Sequence, residues 1–163
     1  MIIAVIGGDP APDAALARSE AVGREIALRG HTLICGGRAG VMEAACKGAS
    51  EAGGLTIGVL PDSDRDAMNP YVGIPIVTGI GRARNLTIAL TADAVIAVDG
   101  GYGTLSEIAF ALQHGRPVAG LGAWHIQSDG GESAPIFRTD DPAAAVLWAI
   151  TAAQSKVLQS TQE

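Results

Sequence analysis

The sequence predicts an α/β protein built on a single doubly wound parallel sheet. Three observations predict it. Short apolar runs alternate with longer segments of helical periodicity along nearly the whole chain. Glycines cluster at the ends of the apolar runs rather than repeating with a period, as tight strand-to-helix turns require. No internal repeat and no domain linker interrupts the alternation. Helices covering both faces of such a sheet make a Rossmann-like three-layer sandwich, with its ligand crevice at the carboxyl ends of the strands.

The elements follow in order. Strands are expected at Met1–Gly7, Thr32–Cys35, Leu55–Leu60, Ile74–Val77, Ala94–Val98 and Val118–Leu121, each a short run of mainly apolar residues. The first helix is expected over about Ala11–Arg29, with Leu16, Val22 and Ile26 on one face and Gly30 as its stop. A second spans about Gly40–Ala52, before Gly53-Gly54. A third, about Arg82–Ala92, carries Leu86, Ile88 and Leu90. A fourth, about Thr104–His114, ends at Gly115 with Pro117 beyond. The last, about Pro142–Gln154, has Asp141 as its N-cap and proline at its first helical position. The segments 61–73 and 123–135 read as loops. Residues 1–154 are therefore expected to form one domain of Rossmann-like type, the architecture of many nucleotide-binding proteins, and the polar tail 155–163 is expected to fray.

Bulk properties narrow the function classes. With 163 residues the chain is of single-domain size and can bury a substantial core. The 22 glycines are roughly twice the average share, and the excess lies at strand ends. A formal charge of −6, with no Lys/Arg cluster, argues against nucleic acid as a partner. Aromatics at 4% argue against a base-stacking platform. Cys35 and Cys46 lack metal-type spacing and read as reduced and buried, and no metal site is expected. No signal-peptide pattern and no run of 18 apolar residues occurs, so the expected location is cytoplasmic and no membrane partner is expected.

Four glycine-rich turns follow predicted strands: Gly7-Gly8, Gly36-Gly37, Gly79-Ile80-Gly81 and Gly100-Gly101-Tyr102-Gly103. In a parallel sheet all four lie along one edge and are expected to converge on one crevice. The most informative is Asp99–Glu107, between the Ala94–Val98 run and a helix start. There a helix's first N–H groups, with their partial positive charge, favour a phosphate or another anion. Standard nucleotide motifs fail. Ser106 stands where G-x-G-x-x-G needs glycine, and there is no P-loop. The Asp62–Asp66 run lacks the glycine and glutamate of a calcium loop and reads as a solvated loop or a lid.

Two side chains carry the candidate chemistry, Arg84 and Glu107. Thr104-x-x-Glu107 fits a capping box, in which threonine caps the helix and glutamate reaches back to it. The same spacing leaves Glu107 able to face the crevice instead. Arg84 opens a helix, where a cation opposes the macrodipole, so a phosphate in the crevice would justify it, with Arg82 as a rival for that role.

The runs Cys35-Gly-Gly-Arg-Ala-Gly-Val-Met-Glu43, Ile57-Gly-Val-Leu-Pro61, Arg84 and Gly100-Gly-Tyr-Gly-Thr-Leu-Ser-Glu107 resemble the LONELY GUY (LOG) superfamily over about residues 1–150. That group includes cytokinin-activating phosphoribohydrolases and molybdenum cofactor carrier proteins. The resemblance implies an active site of Arg84 and Glu107. It implies a phosphate cradle at Gly100, Gly101, Gly103 and Thr104, to which the residues add Gly7, Gly8, Gly36 and Gly37. Asn85 stands where the phosphoribohydrolases usually carry lysine, and Asp99 where they carry proline, setting a negative charge near the phosphate. The Gly79–Asn85 segment and the compact C-terminus look more like the carrier branch.

Two functions follow from that resemblance. One is binding, without chemistry, of a phosphate-bearing nucleotide-like molecule: a nucleotide or molybdenum cofactor. The other is a phosphoribohydrolase releasing free base and ribose 5-phosphate from a nucleoside 5′-monophosphate, with no cofactor required for catalysis. Helices rich in small apolar residues, and the resemblance, imply a homodimer or higher homo-oligomer.

Overall fold

The computed structural model describes residues 1–160. Seven strands form one sheet: β1 (Ile2–Gly7), β2 (Thr32–Cys35), β3 (Thr56–Leu60), β4 (Ile74–Val77), β5 (Ala94–Val98), β6 (Val118–Leu121) and β7 (Ile136–Arg138). Their order is β4-β3-β2-β1-β5-β6-β7, and every pairing is parallel. The chain thus winds outward from β1 to β4 on one side, returns to the centre, and winds outward from β5 to β7 on the other. The reversal lies between β1 and β5, paired from Ile3 with Ala94 to Gly7 with Val98.

Helices cover both faces. On one lie α1 (Asp13–Leu28), α2 (Val41–Glu51) and α5 (Pro142–Ser160), over a core that includes Ile3, Val5, Leu33, Ile96 and Leu121. On the other lie α3 (Arg84–Thr91) and α4 (Tyr102–Gln113), over Ala4, Ile6, Ile34, Val95 and Val118. The alternation of strand residues between the two cores follows from the two-residue period of a strand. It explains why β5, Ala-Val-Ile-Ala-Val, is buried along its whole length. The three-layer sandwich is therefore as the alternation predicts.

Local signals explain most element ends. Gly30, at a φ of 73°, stops α1, with its N–H on the Ala27 carbonyl and that of His31 on Ile26. The Asp141 carboxylate accepts from the Ala143 N–H at 2.9 Å, capping α5 ahead of Pro142. Four boundaries differ from expectation. β7 is a seventh strand that three residues, Ile136-Phe137-Arg138, were too few to announce. Helix α5 continues to Ser160, so the polar stretch from residue 155 begins as helix, and residues 161–163 lie outside the described residues. The third helix is preceded by a 3-10 turn, Gly81–Ala83. Helix α4 starts at Tyr102 rather than Thr104.

Helices α1 and α2 cross closely. A Cβ on Gly23 would run into the Ala45 carbonyl, and one on Gly48 into that of Glu20. Both obstacles are backbone, so they yield only if the helices separate. Gly23→Ala is therefore expected to destabilise the fold by about 1–3 kcal/mol, despite alanine's better helix propensity. A melting temperature equal to or above that of the wild type would show that the crossing is not tight.

Candidate functional site

A cleft of about 590 Å³ opens at the carboxyl ends of β1 and β5, where the winding reverses. Loops leave this seam toward opposite faces, so no helix closes it. The size is that of a small-molecule site. Its wall includes Gly7, Gly8, Gly36, Gly101, Gly103, Thr104, Arg84 and Glu107. It also includes Arg38, Arg82, Asn85, Tyr102 and Asp9.

Three of the four glycine turns meet there. The fourth, Gly79–Gly81, does not line the cleft, because β4 is the edge strand, three positions from β1. It contributes Arg82 through the turn that follows it. Gly37 and Gly100 lie behind the wall. Gly37 packs beside Leu60 and Gly58. Gly100, at a φ of 106°, leaves room for the Thr104 side chain, which a Cβ there would overlap.

The capping box does not form. Gly101 is the N-cap of α4 and Thr104 is already its third helical residue, with its side chain buried and no side-chain cap bond. Two helical residues, Tyr102 and Gly103, thus precede the threonine the motif assigned to the cap. The first helical hydrogen bond runs from Leu105 N–H to the Gly101 carbonyl at 3.0 Å. Among the described residues, the N–H groups of Tyr102, Gly103 and Thr104 have no protein acceptor. A Cβ on Gly101 would meet no heavy atom within 4 Å, so the space before these donors is open. This is the geometry of an anion cradle.

Glu107, one turn further on, is 7% exposed and makes no hydrogen bond to the described residues. Burial pushes its carboxyl up to about 7, against the attraction of Arg84. The Arg84 guanidinium is anchored by donating to the Val59 carbonyl at the end of β3. Desolvation lowers its pKa, opposed by Glu107, and it keeps its charge at neutral pH. Gly36 is what admits it, since a Cβ there would overlap the guanidinium and the Met42 sulfur. Arg84 and Glu107 therefore line the same cleft and feel one another's charge without forming an ion pair within 4.0 Å.

Arg38 is a cleft cation that sequence reasoning passed over, although it lies inside the Gly36–Gly40 turn. It pairs with Asp62 at 2.5 Å, tying the 61–73 loop to the rim. Asn85 is buried, and its amide donates to the Ser106 hydroxyl at 3.2 Å and the Gly103 carbonyl at 3.4 Å. It holds α3 against the start of α4. Asp99, expected beside the phosphate, does not line the cleft. It sits in a left-handed turn at a φ of 51°, with its N–H on the Leu121 carbonyl. Cys35 and Cys46 lie buried beneath, their sulfurs 3.4 Å apart. Among the described residues no helix is long and apolar enough to cross a membrane.

The Glu107 carboxyl holds its proton more tightly in the folded chain than in the unfolded one. The ionisation cost of its burial is therefore absent below about pH 4.5, grows as pH rises from there to about 7, and is constant above. Glu107→Gln is expected to be more stable than wild type at pH 8, by about 1–3 kcal/mol, with the gap closing toward pH 5. Denaturant titrations of both proteins across this range check it, and a gap independent of pH would refute the assignment.

Comparison with known proteins places this architecture. Residues 1–147 match the SLOG cluster4 family. An uncharacterized protein of Archaeoglobus fulgidus is 47% identical over 121 residues, 74% of this chain and 80% of that protein. The cytokinin riboside 5′-monophosphate phosphoribohydrolase of Mycobacterium tuberculosis is 32% identical over 119 residues, and the match spans only 60% of its length. The molybdenum cofactor carrier protein of Chlamydomonas reinhardtii superposes with a TM-score of 0.78 at 39% identity, covering 95% of this chain and 98% of that one. The chain belongs to the SLOG cluster4 family, in the molybdenum cofactor carrier branch of the LOG-like superfamily.

Proposed function

We propose that this protein binds a phosphate-bearing, nucleotide-like molecule in the cleft and holds it without transforming it. The observation that carries the reading is the start of α4, where three N–H groups without acceptors face an open space bordered by Arg38, Arg82 and Arg84. In a chain of net charge −6, three arginines around one cleft are a local reversal of sign. The phosphate sits on Gly101–Thr104 with the Gly7-Gly8 turn opposite, and Arg84 completes its coordination. Full-length similarity to a carrier protein supports a cofactor-like cargo, with molybdenum cofactor as one such ligand. Asn85 supports it too: where a phosphoribohydrolase is expected to carry lysine, this chain has a neutral amide engaged with α4. The protein acts in the cytoplasm as a homodimer or larger assembly, and a monomer in size-exclusion chromatography with light scattering would contradict the assembly.

Calorimetry with AMP and with a pterin monophosphate tests the binding. Measurable affinity is expected for at least one, and Arg84→Ala should weaken it about 10- to 100-fold by removing a charged hydrogen-bond partner. No heat with either ligand would overturn the reading.

The presence of both Arg84 and Glu107 in the cleft favours a second reading, hydrolysis of a nucleoside 5′-monophosphate to free base and ribose 5-phosphate. Cleavage of an N-glycosidic bond passes through an oxocarbenium-like state, which a nearby carboxylate stabilises while it orients water. Glu107 would take that role in its ionised form, and the phosphate cradle would lend remote binding energy. The rate should then rise with pH through about 7, where the carboxyl ionises. Chromatography of wild type and Glu107→Gln, each incubated with AMP and isopentenyl AMP, decides between the readings. Free base from wild type alone establishes the enzyme, and none from either leaves the carrier.

A further inference from the structure

Tyr102 is 81% exposed, the most exposed large apolar side chain among the described residues, yet it lines the cleft. It lies one residue beyond the N-cap of α4, beside the open N–H groups. Its ring packs against Trp124, with centroids 5.7 Å apart and planes tilted by 31°. Trp124 comes from the loop after β6 and is held at both ends. Its indole N–H donates to the Gly101 carbonyl at 3.1 Å, and Arg138 of β7 donates to its backbone carbonyl at 2.5 Å and to that of Ala123 at 3.2 Å. The Gly101 carbonyl thus joins the aromatic pair directly to the anion cradle. Only six aromatic residues occur in the chain, too few for a nucleic-acid platform, and two of them meet at this rim.

We propose that Tyr102, backed by Trp124, is the stacking wall for the planar heterocycle of the ligand whose phosphate the start of α4 holds. This rests on the phosphate-ligand reading above and adds the recognition of the other end of the molecule. An exposed aromatic ring is usually hydrated at a cost, and a heterocycle laid on it removes that surface from water and adds face-to-face attraction. Stacking tolerates any flat heterocycle, because each presents a π-face, so the rim selects for the presence of a ring rather than its identity. Trp124 keeps the tyrosine in place before the ligand arrives, which limits the side-chain entropy lost on binding.

The test compares AMP and GMP with ribose 5-phosphate, which keeps the phosphate and lacks the ring. Calorimetry is run on wild type, Tyr102→Ala and Tyr102→Phe. Trp124 emission is followed in a Trp148→Phe background, since Trp148 stacks on Phe137 elsewhere in the fold. Wild type should bind at least one nucleotide more tightly than ribose 5-phosphate, and nucleotide alone should change Trp124 emission. Tyr102→Ala should lower nucleotide affinity about 5- to 100-fold and leave ribose 5-phosphate unchanged, while Tyr102→Phe retains the wild-type difference. Equal affinities of wild type for all three ligands, or a Tyr102→Ala loss shared by all three, would overturn the stacking wall and leave the phosphate site standing. Failure of wild type to bind any of them would overturn the stacking wall, and failure of the pterin monophosphate as well would overturn the phosphate site with it.

Discussion

The pairing of β1 with β5 is the constraint on which the rest of this molecule depends. Successive strands travel outward from this seam in both directions, so the β1 and β5 loops turn to opposite faces and leave the carboxyl edge uncovered. Gly7 pairs with Val98 at the last position of both strands, which puts the Gly7-Gly8 turn opposite the start of α4. Residues 94 positions apart in sequence, Gly7 and Gly101, thereby become opposite walls of one cleft. Strands β2 and β3 bring Gly36 and the Val59 carbonyl to the same edge, and these receive Arg84.

Electrostatics within the cleft follow from burial as much as from charge. Arg84 and Glu107 are both drawn from water, and both lose some preference for their ionised forms. The arginine has far to fall before it loses its proton, whereas the carboxyl is poised near neutrality. At neutral pH the cleft therefore carries more positive than negative charge and suits an anionic ligand. Because Glu107 lies near its midpoint there, it can serve as a neutral hydrogen-bond donor or, as pH rises, as a carboxylate. One residue thus fits both a resting container and a hydrolase, and the choice depends on what surrounds it.

What lines the cleft was partly legible. Arg84, Glu107 and the Gly101–Thr104 segment could be found because their spacing places them at a strand end or on a helix's first turns. The motif grammar misled at Thr104: a capping box assumes that threonine stands outside the helix, but Tyr102 and Gly103 are already helical. Gly37 and Gly100 read as cradle residues, yet their glycines serve neighbouring side chains behind the wall. Arg38 gave no periodic signal, and Trp124 lay in a segment that read only as loop.

The sequence by itself determined the layers, six of the seven strands and the location of the cleft edge. Those depend on short-range pattern: apolar runs of strand length, helical periodicity and glycines at the turns. Tertiary structure decided which glycine turns reach the cleft, where α4 begins, and that Tyr102 finds Trp124. It also decided that Asp99 does not line the cleft and that Asn85 clasps α4. These outcomes depend on strand order and on contacts between residues distant in the chain, neither of which is encoded in any single segment's periodicity.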